Sequence, residues 1–424
     1  MSKEKKILPE LRFPEFKNDG EWKPTTIEDN CRLKGRIGYR GYTKKDLVEK
    51  GNGALVIGGK HIQNNILDVS NPSFLTWEKY YESPEIMVEI NHIIFSQRGT
   101  LGECAYIESD IGKATINPSM VLIKDITCNS RFLYYVLIGN QIQKEVERVS
   151  SLAAIPMLSQ KQIKSFPFYI PLPKEQQKIA NCLSSLDNLI TAETEKLEHL
   201  KDHKKGLLQQ LFPANGKTKP QFRFPEFEND GDWESRNLGV LCEYFNGASH
   251  EKNVTKDGEY YLISLNSIDI EGNLKTEMKR VNTFDNSLIK DDLVMVLSDV
   301  AHGNFLGLCA IIPNDKYVLN QRMAGLRLKN KDVNVQFLRF YINRSQKYFK
   351  QTGQGSSQQN LAKRSVEKFP VLLPKNQIEQ EKIANCLSSA DNLISAQTLK
   401  IKSLKKHKKG LMQRLFPNVN EVAV

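Results

Sequence analysis

Arginine, glycine and tyrosine crowd together in Arg32-Leu33-Lys34-Gly35-Arg36-Ile37-Gly38-Tyr39-Arg40-Gly41-Tyr42. Glycine lets a backbone approach a ligand closely. Arginine takes a guanine edge through two hydrogen bonds or holds a phosphate, and tyrosine adds stacking surface. This is the chemistry of nucleic-acid contact, and Arg36, Tyr39 and Arg40 are its candidates. Ser96-Gln97-Arg98-Gly99-Thr100 repeats the theme with Arg98 and Gly99. The second half of the chain carries different polar groups: His302 and Asn304 after Ser298, Arg322 in Leu319-Asn320-Gln321-Arg322-Met323, and Gln358 and Asn360 after Gly355. Glutamine and asparagine amides suit adenine edges.

Groups that make or break covalent bonds are sparse. Asn71-Pro72-Ser73-Phe74 and Asn117-Pro118-Ser119-Met120 are similar to the Asn-Pro-Pro-aromatic motif of adenine methyltransferases. Both lack the second proline, and no glycine-rich S-adenosylmethionine loop accompanies them, so they read as turns. His199 and His203 have the i,i+4 spacing of helical metal ligands. The corresponding later stretch has Ser403 in the first place, so the pair reads as a solvated helix face. No GxxxxGK[ST] phosphate loop and no Ser/His/Asp constellation is present. The chain is therefore expected to hold no cofactor or metal and to catalyse nothing. The competing reading is a self-contained DNA methyltransferase or nuclease with its own recognition domains. Turnover by the isolated chain with S-adenosylmethionine and DNA would reveal it.

The candidate residues need elements to position them, and one stretch that occurs twice supplies these. Residues 178–213 read KIANCLSSLDNLITAETEKLEHLKDHKKGLLQQLFP, and residues 382–417 read KIANCLSSADNLISAQTLKIKSLKKHKKGLMQRLFP. Apolar residues recur there with the 3.5-residue period of a coiled coil. In the first copy they are Ile179, Leu183, Leu186, Ile190, Leu197, Leu200, Leu207 and Leu211. In the second they are Ile383, Leu387, Ala390, Ile394, Ile401, Leu404, Leu411 and Leu415. The same slots are polar in both, Glu193/Gln397 and Lys204/Lys408, which suits residues that fix register. A helix of roughly 35 residues is about 50 Å long and needs a partner of matched length, which the other copy provides. Leu183, Leu186, Leu197, Leu200, Leu387, Ile394, Ile401 and Leu404 are the expected spacer and docking positions. Gly206 and Gly410 mark places where the last turns are prone to kink.

A shorter phrase also recurs: Phe13-Pro14-Glu15-Phe16 with Trp22, and Phe224-Pro225-Glu226-Phe227 with Trp233. The order is phrase, domain, helix, phrase, domain, helix, an internal repeat with an expected pseudo-two-fold. The segments are 1–21, the first domain at 22–173, its helix at 174–213, a linker and phrase at 214–232, the second domain at 233–374 and its helix at 375–417. The expected fold class is α+β: two similar α/β domains separated by two long helices paired as an antiparallel coiled coil, with a domain at each end. Strands are expected at residues 85–94, 114–123, 260–265, 293–297 and 308–312, and helices at 131–149 and 336–348.

Lys and Arg number 60 against 49 Asp and Glu, a net +11, which is compatible with a nucleic-acid partner. The seven cysteines are scattered singly with no CxxC, as in a reducing cytoplasm. A charged N-terminus and the absence of an 18-residue apolar run point away from a signal peptide and from the membrane.

The duplicated plan, the proline-led Pro171-Leu172-Pro173-Lys174-Glu175-Gln176 entry, the Ile-Ala-x-x-Leu helix start, the Leu-Phe-Pro exit and the Arg98-Gly99-x-x-Gly102 turn together resemble the specificity subunit of type I restriction–modification systems. The resemblance spans nearly the whole chain. It implies that the two domains are target recognition domains, each reading half of a split double-stranded DNA site. It implies that the helices hold two methyltransferase subunits and set the distance between half-sites, and that motor-nuclease subunits join them. S-adenosylmethionine, ATP and Mg would belong to those partners.

Overall fold

The structure, a computed structural model, describes residues 7–151, 156–285, 287–300, 304–355 and 358–418. The chain forms two compact units, Met1–Glu193 with Lys400–Val424, and Thr194–Leu399. Each unit therefore combines one globular segment, the first part of its own long helix and the last part of the other. The long helices, α1 (Pro173–Gln210) and α2 (Gln377–Leu415), are continuous through Gly206 and Gly410.

In the first unit a four-stranded antiparallel sheet runs in the order Arg32–Lys34, Met120–Lys124, Ile93–Ser96, Cys104–Tyr106. The second unit repeats that order with Cys242–Asn246, Met323–Leu328, Leu293–Val296 and Cys309–Ile311. Each unit has a second sheet containing one parallel pair, Gly53–Ile57 with Ala114–Ile116 and Tyr260–Ile263 with Tyr317–Leu319.

The central strands are covered on both faces. Ile93, Phe95, Val121 and Ile123 point into a core shared with the helices, whereas Ile94, Met120 and Leu122 point into a core shared with the second sheet. Such strands read as continuous apolar runs, which blurs their ends in the sequence. Three expected elements are corrected. Residues 85–92 are turn and extended chain, and the strand is Ile93–Ser96. Residues 114–123 are two strands, Ala114–Ile116 and Met120–Lys124, parted by a turn at Asn117. The single helix expected at 131–149 is two, Ser130–Leu137 and Asn140–Ser150. The second unit repeats the break, with Val335–Arg344 and Gln346–Thr352.

Every one of the apolar seam positions on α1 and α2 is buried or half-buried. Within the first unit, Ile179, Ala180 and Leu183 of α1 and Leu415 of α2 share one core with Trp22 and Phe132. Within the second, Ile383, Ala384 and Leu387 of α2 and Leu211 of α1 share a core with Trp233 and Phe337. The polar slots are also occupied in an orderly way. Lys408 reaches Asp187 at 2.5 Å and Lys400 reaches Glu193 at 2.5 Å in the first unit. These pairs run in opposite sense along α1 and α2, so the helices are antiparallel there. Lys204 pairs with Asp391 in the second unit. Each aspartate also anchors its globular segment, Asp187 through the Tyr135 hydroxyl at 2.7 Å and Asp391 through Arg339 at 2.9 Å.

The recurring phrase is a clamp on the start of each long helix. Arg12 donates two hydrogen bonds to the Glu175 carboxylate, at 2.8 and 2.7 Å, and one to the Gly20 carbonyl at 2.7 Å, while Trp22 Nε1 donates to Glu175 at 3.4 Å. Arg223, Gly231, Trp233 and Glu379 repeat the set. Gln176 and Gln380 accept from the backbone N–H groups of Asn129 and Asn334, both at 2.9 Å. The repeated Glu-Gln dipeptide thus ties the long helix to the N-cap of the first helix that packs on it.

Candidate nucleic-acid interface

The candidate residues of the first unit gather at one end of the central sheet. The turn after Ile93–Ser96 and the turn after Ala114–Ile116 are joined by Gln97 N–H donating to the Ser119 carbonyl at 3.0 Å, and by the Gln97 amide donating to the Pro118 carbonyl at 3.0 Å. Leu158 N–H donates to the Gln97 carbonyl at 3.0 Å, which brings a third segment alongside. Arg98 is exposed, and its Nε lies 3.0 Å from the Met157 sulfur. Gly99 has φ +83°, and a Cβ there would meet nothing within 4 Å.

Arg36 is the exception. It is buried, and its guanidinium donates to the Ile116 carbonyl at 3.3 Å, the Thr115 hydroxyl at 3.1 Å, the Ser83 hydroxyl at 3.4 Å and the Arg40 carbonyl at 3.4 Å. Burial lowers its pKa. With its donors spent inside the protein, Arg36 is a brace for the loop. What the loop presents outward is Tyr39, 80% exposed, and Arg40, which stands over the Tyr39 ring and pairs with Glu85 at 3.3 Å.

The second unit rebuilds this end on the same backbone ladder. Leu297 N–H donates to the Arg322 carbonyl at 3.1 Å, and Leu361 N–H donates to the Leu297 carbonyl at 2.8 Å. The flanking segments here form a two-stranded antiparallel pair, Ser298–Val300 with Gln358–Asn360, where the first unit has the bridge Arg98 to Met157. Gln358 donates to the Ser298 hydroxyl at 2.6 Å, and that hydroxyl donates to Asn360 at 2.5 Å. Arg322 is exposed with φ +68°, and Asn304 is exposed, accepting from Lys350 at 2.7 Å. His302 lies outside the described residues, as do Ser356 and Ser357.

Two glycines hold both ends in shape. Gly102 and Gly307 have φ +82° and +80°, and a Cβ there would meet the Gln143 side chain at 2.8 Å or the Phe349 ring at 2.4 Å. Only glycine takes that backbone into that space. In the Asn-Pro-Ser turn Asn117 Oδ1 accepts from the Ser119 N–H at 3.0 Å and hydroxyl at 2.6 Å. Its counterpart Asn320 is buried, accepting from His250 N–H and donating to Glu251. Among the described residues no group of three or more His, Cys, Asp or Glu side chains is placed to hold a metal. No described helix is long and apolar enough to cross a membrane. Burial pushes the thiols of Cys31 and Cys242 up to about 12, which makes them packing residues.

Met157 and Ser298 join the candidates although their own types did not single them out. Their place beside Arg98 and Arg322 depends on pairings across tens of residues. The only signal available was their position in segments where the two halves diverge.

A family model described as the type I restriction modification DNA specificity domain matches residues 20–202 and 230–406. A Methanocaldococcus jannaschii chain named as the MjaX type I restriction enzyme specificity subunit is 24% identical over 84% of this chain and 84% of its own length. The MjaVIII specificity subunit of the same organism is 26% identical over 50% of this chain and 47% of its own length. Among solved structures, the S subunit of a type I restriction–modification system from M. genitalium superposes with a TM-score of 0.62 at 17% identity, covering 97% of this chain and all of the other.

Proposed function

This chain belongs to the type I restriction–modification DNA specificity family, and from that premise we propose how its two units divide the work. Its role is DNA sequence recognition within a complex whose catalytic activities reside in other subunits. In our reading each unit reads one half of a bipartite site through the sheet end described above. Arg98, Gly99, Tyr39 and Arg40 contact the first half, and Arg322, Gln358, Asn360 and Asn304 contact the second. Arg36 supports the loop from inside. The observation that carries the reading is a shared backbone ladder with unlike tips. Gln97–Ser119–Leu158 and Leu297–Arg322–Leu361 superimpose in role, while the exposed side chains around them differ in kind. A common frame with different donors and acceptors is what two different base sequences require.

The left-handed backbone of Arg322 adds support. That conformation is uncommon for a side chain without a local hydrogen-bonding reason, and such outliers cluster at functional sites.

The test uses the complex reconstituted with its methyltransferase subunits. Arg98→Ala and Arg322→Ala are each expected to cost about 1–3 kcal/mol on the cognate duplex and to relax discrimination in one half-site only. Random duplex should be bound as before. Equal losses on cognate and random DNA would reassign both arginines to phosphates.

We also assign α1 and α2 as the spacer and as the docking faces for two methyltransferase subunits, with motor-nuclease subunits joining in the cytoplasm. S-adenosylmethionine, ATP and Mg act on those partners. Inserting one heptad within 186–200, with a matching heptad within 390–404, is expected to lengthen the unread spacer and leave both half-sites unchanged. Methylome sequencing that returned the original spacer length would refute it.

A further inference from the structure

The two copies of the long helix are close in sequence, yet one flank differs in charge. In α1 the four places are Glu198, Lys201, Asp202 and Lys205; the same places in α2 are Lys402, Lys405, Lys406 and Lys409. In α1 the acids and bases alternate, and Lys201 pairs with Glu198 at 2.8 Å. In α2 all four lysines are exposed, and no ion pair joins any of them among the described residues. The other cations of this stretch have partners: Lys400 with Glu193, Lys408 with Asp187 and Arg414 with Glu10. From Lys400 to Asn418 the helix and its exit contain no acidic residue.

This arrangement works against the helix. Lys402/Lys406 and Lys405/Lys409 are like charges at i,i+4, each pair destabilising by about 0.2–0.5 kcal/mol. The scaffold does not require it, since α1 carries the alternating pattern on an equivalent helix. A solvated face would be served as well by the pattern of α1.

We propose that Lys402, Lys405, Lys406 and Lys409 form a phosphate-binding stripe that holds the DNA backbone independently of its sequence. The occupant is argued from the side chains present. Protein–protein interface cores are depleted in lysine and enriched in aromatic residues, methionine and arginine. The exposed large apolar residues of α2 end at Leu399, and the apolar groups near the stripe, Ile66 and Val69, come from the cavity that Lys405 and Lys409 border. Four flexible ammonium groups carried together on one helix face suit a polyanion whose charges recur along a backbone. The inference rests on the family's DNA role and is independent of which loops read bases.

The deciding variant is Lys402→Glu with Lys406→Asp, which installs the α1 residues at the equivalent α2 places. A pattern already borne by α1 removes misfolding as an explanation, and Lys402→Gln with Lys406→Gln provides a second, uncharged version. In the reconstituted complex, binding should weaken by the same factor on cognate and random duplex. The slope of log affinity against log salt should become shallower by about one per lysine removed, and the methylated motif should not change. Unchanged affinity and slope in both variants would overturn the proposal. Loss of a methyltransferase subunit from the complex with an unchanged slope would also overturn it, assigning the stripe to an acidic protein surface.

Discussion

Arg12→Ala is expected to destabilise the first unit by about 3–5 kcal/mol, the scale on which a buried ion pair responds to loss of one partner. The Glu175 side chain is 1% exposed and that of Arg12 is 8% exposed. Without the guanidinium, the carboxylate keeps only the 3.4 Å bond from Trp22 and cannot recover its hydration. Arg12→Lys should recover little, because a single ammonium cannot supply both parallel bonds and the bond to Gly20. Lys178→Ala is the internal control. Its pair with Glu15, at 3.0 Å, lies among side chains about half exposed, and such pairs contribute about 0–1 kcal/mol. Urea denaturation should show Arg12→Ala moving one transition while Arg223→Ala, in the equivalent pair at 8% and 0% exposure, moves the other. A loss below about 1 kcal/mol for Arg12→Ala would mean that the clamp does not hold the helix to the domain.

What could be read from the sequence follows from how each feature is encoded. The long helices were legible because a 3.5 period over some 35 residues is a redundant signal, and both copies carry it. The repeat phrase was visible, but its purpose was not. Arg12 meets Glu175 across 163 positions, and nothing local marks the two as partners. The Lys204/Lys408 slots were identified as register elements, yet their aspartates, Asp391 and Asp187, looked like ordinary solvated residues of an amphipathic helix. The strand ends were blurred because Ile93–Ser96 and Met120–Lys124 are covered on both faces. Arg36 illustrates the limit of reading a loop by composition. An arginine among glycines resembles a ligand contact whether it points outward or bonds the Ile116 carbonyl, and only its 80-residue partner distance decides.

The first recognition segment, moved into the place of the second, is expected to give a subunit that reads the same half-site twice. The junctions make this feasible. Lys23–Thr26 pairs antiparallel with Pro167–Ile170, Lys23 opposite Ile170, and Glu234–Asn237 pairs likewise with Pro370–Leu373, Glu234 opposite Leu373. The chain therefore enters and leaves each segment on neighbouring strands, and residues 23–170 can replace 234–373 without altering the span to be bridged. The surface that receives the segment is also repeated. Trp22 meets Phe416 with ring centres 6.1 Å apart, and Trp233 meets Phe212 at 6.1 Å. Ile383, Ala384 and Leu387 present the same side chains as Ile179, Ala180 and Leu183. One contact changes kind: Asp391, freed of Arg339, would meet the hydroxyl of the transplanted Tyr135, the bond that Asp187 already makes. Methylation at the native bipartite site should be lost entirely. In the methylome, the half-site read by the first unit should appear on both sides of the spacer. Persistence of the native second half-site would place its determinants outside 234–373, and the assignment of one half-site to each unit would fall with it.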